Sequence, residues 1–287
     1  MRRAAMLRHL VELVGPDGAV PSWVNPRHPG FAYPEAAAIV LRLLAHEPDP
    51  PRPTMERLVG FVRSQPAGKD GRVYTFDRGV VMAGLTSAGV DVGDEAERIA
   101  SAIEQRVAVE PAAPLRWSTI VGPHFLKLAL FARGRLRDAL LPLRPTFAEG
   151  GRIPTPPLSS TYVHAHCYAT EGLLALGELH DARRAAAWLA EIQTRDGGLP
   201  REHDGLRSAG PQHADATAQA VRLWCCLDRG HFADAIDRAL AFLDRLVDPS
   251  GGVRYSDASD DVNTWATAFA VQALDFAHGH ASAERIV

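Results

Sequence analysis

The sequence predicts an all-α ring, six inner helices wrapped by six outer ones, in one domain spanning residues 1–287. Mostly apolar segments alternate with amphipathic ones six times along the chain. The apolar segments align on Leu43, Leu85, Leu130, Leu173, Leu223 and Leu274, at intervals of 42, 45, 43, 50 and 51 residues. They are apolar on all sides, as expected of helices enclosed by others. A Gly/Pro loop carrying polar or aromatic residues precedes each of them. An open solenoid of helix pairs holds a tighter period and leaves both helices half exposed, with polar caps at its ends, so this pattern favours closure.

Residues 3–14 carry Met6, Leu7, Leu10, Val11 and Val14 at helical spacing and stop at the breaker Gly15-Pro16-Asp17-Gly18. Gly30 to Ala45 is the first apolar helix, with Tyr33 and Glu35 at its start. A proline-rich stretch leads to the amphipathic Met55 to Arg63, and the turn-forming PAGKDG leads to the apolar Tyr74 to Leu85, with Tyr74, Asp77 and Arg78 at its mouth. Asp94 to Val107 is charged and amphipathic. Leu115 to Leu130 follows with Trp117 and His124, and Gly122-Pro123 reads as a helix start. Arg135 to Leu143 is the next polar helix, and a loop from Ala148 to Pro157 feeds the stretch SSTYVHAHCYATEGLLAL, Ser159 to Leu176. There Tyr162, His164, His166, Tyr168 and Glu171 precede the apolar Leu173, Leu174 and Leu176. His180 to Thr194 is amphipathic. A loop over 195–212 delivers the apolar His213 to Trp224, and Phe232 to Leu246 and Val262 to Phe276 form the last pair.

Composition narrows the function classes. At 46% apolar the chain can bury a large core, and its net charge of −3, with both signs scattered, leaves no basic footprint for nucleic acid. Three cysteines, Cys167, Cys225 and Cys226, make no disulfide framework and fit a reducing compartment. Arg8, His9 and Glu12 interrupt the N-terminal run that a signal peptide would need, and no apolar run reaches the length of a membrane span. The expectation is a cytoplasmic, soluble protein. No phosphate loop, dinucleotide fingerprint or nucleophile elbow is present, so no organic cofactor is implied.

In a closed ring the inner-helix starts converge on one mouth. That would gather Tyr33, Glu35, Tyr74, Asp77, Trp117, His124, His164, His166, Tyr168, Asp215, Asp261 and Trp265, with Arg78 beside them. Carboxylates can act as general acid, base or nucleophile, and aromatic faces pack against the apolar side of a sugar ring. Glu35, Asp77, His164, His166 and Asp215 are the catalytic candidates; Tyr33, Tyr74, Arg78, Trp117, His124, Tyr168, Asp261 and Trp265 are candidates for holding a small-molecule or oligosaccharide substrate. For Asp77, Asp215 and Asp261 helix capping is the competing role, and for Glu35 dipole compensation. His164 and His166, two apart, point to different sides of a continuous helix. As metal ligands they would need His124, Cys167 or Asp215 as further partners, and no metal is assigned. Asn263 and Gln272 read as core-facing hydrogen-bonders.

The pattern resembles the α/α-toroid superfamily, an (α/α)6 fold shared by six-hairpin glycosidases, sugar epimerases, and terpene cyclase and protein prenyltransferase barrels. The turns GGL at 197–199 and GGV at 251–253 are similar to that class. YPE at 33–35, TFD at 75–77, HCYATEGL at 166–173, DATAQAVRL at 215–223 and NTWATAFAVQAL at 263–274 resemble VpsJ-type proteins of polysaccharide biosynthesis. The resemblance implies a carbohydrate-active enzyme of glycan or glycosylated-metabolite biosynthesis: an epimerase or isomerase, or a hydrolase or lyase. Resemblance to the sugar 2-epimerases would make a histidine pair the acid and base on opposite faces of a sugar carbon; the alternative is that one histidine bonds a loop carbonyl. An isoprenoid cyclase or prenyltransferase is the competing reading, although DASDD at 257–261 departs from the cyclases' DxDD motif and HCY at 166–168 has a shifted histidine relative to the prenyltransferases' HTCY. A non-catalytic binding toroid is the third.

Overall fold

The structure is a computed structural model, and it describes residues 2–25, 30–64, 74–107, 121–155, 160–280 and 282–287. Two concentric layers of helix form the ring. The inner layer holds α2 (Pro34–Ala45), α4 (Thr75–Ser87), a 3-10 helix (Pro123–Leu130), α7 (Val163–Leu176), α9 (Ala214–Asp228) and α11 (Thr264–Ala277). The outer layer holds α1 (Arg3–Glu12), α3 (Arg52–Ser64), α5 (Glu95–Val107), α6 (Gly134–Leu140), α8 (Leu179–Glu191) and α10 (Ala233–Arg245). Each inner helix packs on the next, and α11 returns to α2, which closes the ring. The fold is the α/α toroid.

Burial explains the two layers. From Pro34 to Leu44 every residue of α2 is buried, whereas α10 buries only Ala235, Ile236, Ala239, Phe242 and Leu243 along one stripe. Inner helices approach closely where glycine permits it: a Cβ on Gly172 of α7 would stand 2.2 Å from the Leu126 carbonyl carbon, and one on Gly84 of α4 would stand 2.7 Å from Ala38 O. The third inner element is a 3-10 helix over Pro123–Leu130 where the sequence predicts helix from Leu115; residues 115–120 lie outside the described residues. The predicted helix Arg135 to Leu143 stops being α-helical at Leu140, because Pro142 cannot continue it, and ends in a short 3-10 turn.

Among the described residues the ring also carries two small antiparallel sheets that the helix-only reading does not contain. The strands β1 (Trp23–Val24), β6 (Val262–Asn263) and β5 (Val253–Arg254) form one; β2 (Thr161–Tyr162), β3 (Leu199–His203) and β4 (Ser208–His213) form the other. In the first sheet Asn263 lies opposite both Trp23 and Val253. In the second Tyr162 lies opposite Glu202, and Leu199 opposite His213. A bridge between His213 and Ser256 ties the two sheets together. Since β2, β4 and β6 run directly into α7, α9 and α11, the sheets set the angle at which these helices begin, all at one end of the ring.

Candidate active site at the mouth of the ring

Helical spacing arranges the inner face in tiers. His164, Tyr168 and Glu171 stand at i, i+4 and i+7 on α7, and Asp215 and Arg222 at i and i+7 on α9. The upper tier is the mouth. His164 Nδ1 lies 3.1 Å from Asp215 Oδ2, and both residues are buried. Asp215 Oδ1 accepts from the Ala216 N–H at 2.7 Å and lies 3.8 Å from His213 Nδ1. Burial pushes the Asp215 carboxyl up, but His164, His213 and the Ala216 N–H outweigh it, so the group is held below the ordinary aspartate value and stays ionised. A carboxylate at Nδ1 fixes the tautomer of a neutral imidazole and leaves its basic lone pair on Nε2.

Across the mouth the Tyr33 hydroxyl donates to Asp77 Oδ2. Burial first, then the charges of Glu35 and Asp77, raise the Tyr33 hydroxyl far above the ordinary tyrosine value, so it remains a neutral donor. Tyr168 joins the two pairs. Its ring meets His164 edge-on at 4.3 Å and Phe76 at 5.3 Å, and the charges of Glu35 and Asp215 both act on its hydroxyl. His124 packs against Phe76 and Phe125, and burial with the neighbouring His164 drives it down to about 3.

The structure thus brings Tyr33, Glu35, Asp77, His124, His164, Tyr168 and Asp215 together, with Tyr74 at the start of α4 and Trp265 beside Tyr33 at 5.8 Å. Tyr168 is a buried floor to the mouth rather than part of its rim. His166 is elsewhere. It faces α8: its Nδ1 accepts from the Ile153 N–H, its Nε2 therefore carries the proton and bonds Ala185 O at 3.1 Å, and burial holds it down to about 4. The reason is the two-residue offset on a helix that already begins at Val163. Arg78 is also elsewhere, in a bidentate pair with Glu95 of α5 at 2.6 and 2.8 Å. Trp117 lies outside the described residues.

The capping roles divide. Asp215 bonds the Ala216 N–H in addition to meeting His164, and Asp77, in the first turn of α4, accepts from the Tyr33 hydroxyl. Asp261 is not at a helix start; its carbonyl accepts from Tyr255 N, and Asn263 caps α11 by accepting from Ala266 N. Sequence reasoning leaves His213 and Tyr255 out of the site, and names Tyr162 at the helix entrance without counting it among the candidates. The Tyr255 ring lies 4.4 Å from that of His213, and its hydroxyl is 3.4 Å from that of Tyr162. Both hydroxyls are pushed well up, by burial and then by Asp215. All three sit on strands or their ends.

Below the mouth is a second polar tier. Lys127 Nζ donates to Glu171 Oε2 at 2.8 Å and to Val287 O at 2.6 Å; Arg222 donates to Glu171 Oε1 at 2.5 Å and to Gln272 Oε1 at 2.8 Å. Arg42 holds Glu284 O and Ile286 O. Residues 284–287 therefore close the far end of the ring against buried cations. Cys167 is buried between α7 and α9, its thiol directed at Ala216 O and pushed up by burial. Among the described residues no three His, Cys, Asp or Glu side chains converge as metal ligands would. No helix among them is long and apolar enough to cross a membrane.

No protein-family model and no curated protein matches the chain. Solved structures do. A type II terpene cyclase from Scytonema superposes with a TM-score of 0.68 at 15% identity, over 97% of this chain and 97% of its own. A glycosidase superposes at 0.66 and 13% identity, covering 96% and 97%, and a polysaccharide lyase at 0.62 and 12%, covering 95% and 96%. At such identities these are likenesses of fold. The toroid is common to all of them and the chemistry is not.

Proposed function

We propose that the chain is a carbohydrate-active enzyme of glycan or glycosylated-metabolite biosynthesis that moves a proton at a sugar carbon or oxygen. One observation carries the reading: two carboxylate-linked proton carriers, His164 with Asp215 and Tyr33 with Asp77, stand at the starts of α7 and α9 and of α2 and α4, helix pairs that the ring order sets opposite one another. With Nδ1 turned to Asp215, His164 can take a proton on Nε2, and the carboxylate stabilises the imidazolium that results. Tyr33, held neutral with its O–H turned to Asp77, presents its oxygen lone pairs to a substrate hydroxyl and can pass that proton on to the Asp77 carboxylate, and Glu35 stands beside it as a further proton carrier. Tyr162 and Tyr255 offer hydroxyls on the His213 side, which suits a ligand that is polar at its edges and apolar on its faces.

An isoprenoid reading fits less well. A long prenyl chain needs apolar depth, and the axis below Tyr168 is filled by Lys127, Glu171, Arg222, Gln272 and residues 284–287. The aspartates of DASDD are engaged or remote: Asp257 accepts from the backbone and side-chain amides of Gln212, and Asp260 is exposed on the rim beside Arg254.

The test is a thermal-shift screen of nucleotide sugars, uronates and oligosaccharides, with farnesyl and geranylgeranyl diphosphates as the competing arm. A concentration-dependent rise in Tm with a carbohydrate, and turnover of that compound lowered roughly 10²-fold or more by Asp215→Asn without loss of binding, is the expected result. A rise confined to the prenyl diphosphates overturns the proposal.

A further inference from the structure

Residues 20–22 and 31–33, between α1 and α2, are joined backbone to backbone around Phe31. Ser22 N and Oγ both donate to Phe31 O, at 3.0 and 2.9 Å; Pro21 and Ala32 form an antiparallel bridge; and Tyr33 N donates to Val20 O at 3.3 Å. Gly30 runs so close to Trp23 that a Cβ there would stand 1.9 Å from Trp23 O. On this fixed backbone the Phe31 side chain is 42% exposed and nearby Val24 39%. A single exposed apolar side chain is ordinary; Phe31 counts because it continues a line of rings into the site.

Phe31 does run on. Its ring lies 5.9 Å from that of Tyr33, which lies 5.8 Å from Trp265 and donates its hydroxyl to Asp77. Trp23, across the same loop, stands 4.7 Å from Tyr255, whose ring is 4.4 Å from His213 beside Asp215. Trp23 pairs with Asn263, the residue that caps α11, and Trp265 lies in the first turn of that helix. Two aromatic tracks therefore leave one loop and end at the two carboxylates that hold Tyr33 and His164.

We propose that Phe31 and Trp265, with Trp23 beside them, form a second sugar-binding subsite, which holds the pyranose unit next to the one at His164 and Asp215. The inference rests on the carbohydrate reading above and deepens it: the substrate is a glycan or glycoside of at least two rings, not a free monosaccharide. Rigid aromatic side chains suit the task. They offer a flat apolar face with few torsions to freeze, and hydroxyls at the sugar's edge remain in water or reach the tyrosines.

Gluco-, manno- and xylo-oligosaccharides of one to four units, titrated calorimetrically into the full chain, test this. Lengthening a bound sugar from one unit to two should tighten binding by roughly tenfold or more. Phe31→Ala should abolish most of that gain and Phe31→Tyr should keep it, with unfolding curves showing both variants folded. Trp265→Phe, which retains a ring, should fall between them. Equal affinity for one and two units, or a gain that Phe31→Ala leaves intact, overturns the subsite while the carbohydrate reading stands. Failure of every sugar to bind, with prenyl diphosphates binding, overturns both.

Discussion

Two buried polar tiers share the axis of this ring, and they are built on different rules. In the lower tier fixed cations clasp a carboxylate: Glu171 is held by Lys127 and Arg222, which also donate to Val287 O and Gln272 Oε1. In the upper tier carboxylates meet groups that carry exchangeable protons, His164 for Asp215 and Tyr33 for Asp77. The first arrangement keeps Glu171 ionised and holds helices together. The second can pass a proton, because its partners differ in where they hold one. Burial alone does not separate structure from chemistry; the identity of the partner does.

If the lower tier is structural, breaking it carries the largest effect. Glu171→Ala leaves Lys127 and Arg222 buried without a counter-ion and should lower stability by about 3–5 kcal/mol in denaturant unfolding. Burial already holds Lys127 down to about 8, so the lone lysine should then give up its proton more readily still. Adding Lys127→Met should recover part of the loss, since one stranded charge then goes. An additive double variant would mean that the tier is not the closed network described.

Histidines provide the next contrast. Burial holds His166 at about 4 and His124 at about 3, against an ordinary histidine value of 6.5. Both are neutral in the folded chain while the unfolded chain takes up protons below pH 6.5, so stability is fully present above that pH and falls as pH drops toward 4. The loss from His166 is on the order of 3 kcal/mol. His166→Gln should flatten the acid limb of a stability-against-pH curve, and an unchanged slope would remove His166 from the account. His164→Asn should act on turnover instead, lowering kcat for the sugar found by screening roughly 10²-fold, with an unfolding midpoint close to that of the parent.

That split between His164 and His166 marks what the sequence made legible. Spacing shows that the two point apart, but which one faces the axis depends on which side of α7 meets α8. A charged residue in an apolar helix was the available signal: Glu171 must face the polar axis, and it shares a face with His164, not His166. Ring closure was legible because the inner helices are apolar all round. The last two intervals, 50 and 51 residues, are longer for a reason that periodicity does not reveal. The inserted residues form the β3–β4 hairpin and the strands β5 and β6. Asp204-Gly205 was a hairpin signal inside the stretch read as loop, with Gly205 at φ 107°, while Pro200 and Gly210 obscured the strands around it. His213 and Tyr255 escaped because strand pairing, not helical spacing, carries them to the mouth. Arg78 misled because its place on α4 at the mouth says nothing of Glu95, which waits on the next outer helix.

Arg78 offers the smallest effect and a sharp boundary for the site. Its guanidinium engages both oxygens of Glu95, with about a fifth of each side chain still open to solvent, 23% and 21%. A pair so placed is partly screened and contributes about 0.2–1 kcal/mol even with good geometry. Arg78→Ala, Glu95→Ala and the double variant form a cycle that should return a coupling energy in that range. Both single variants should turn over the screened sugar at the parental rate, because neither removes a group that meets Asp77, His164 or Asp215. A fall in kcat/KM for Arg78→Ala with none for Glu95→Ala would show the guanidinium leaving its partner to bind substrate, and would move the border of the mouth outward to include it.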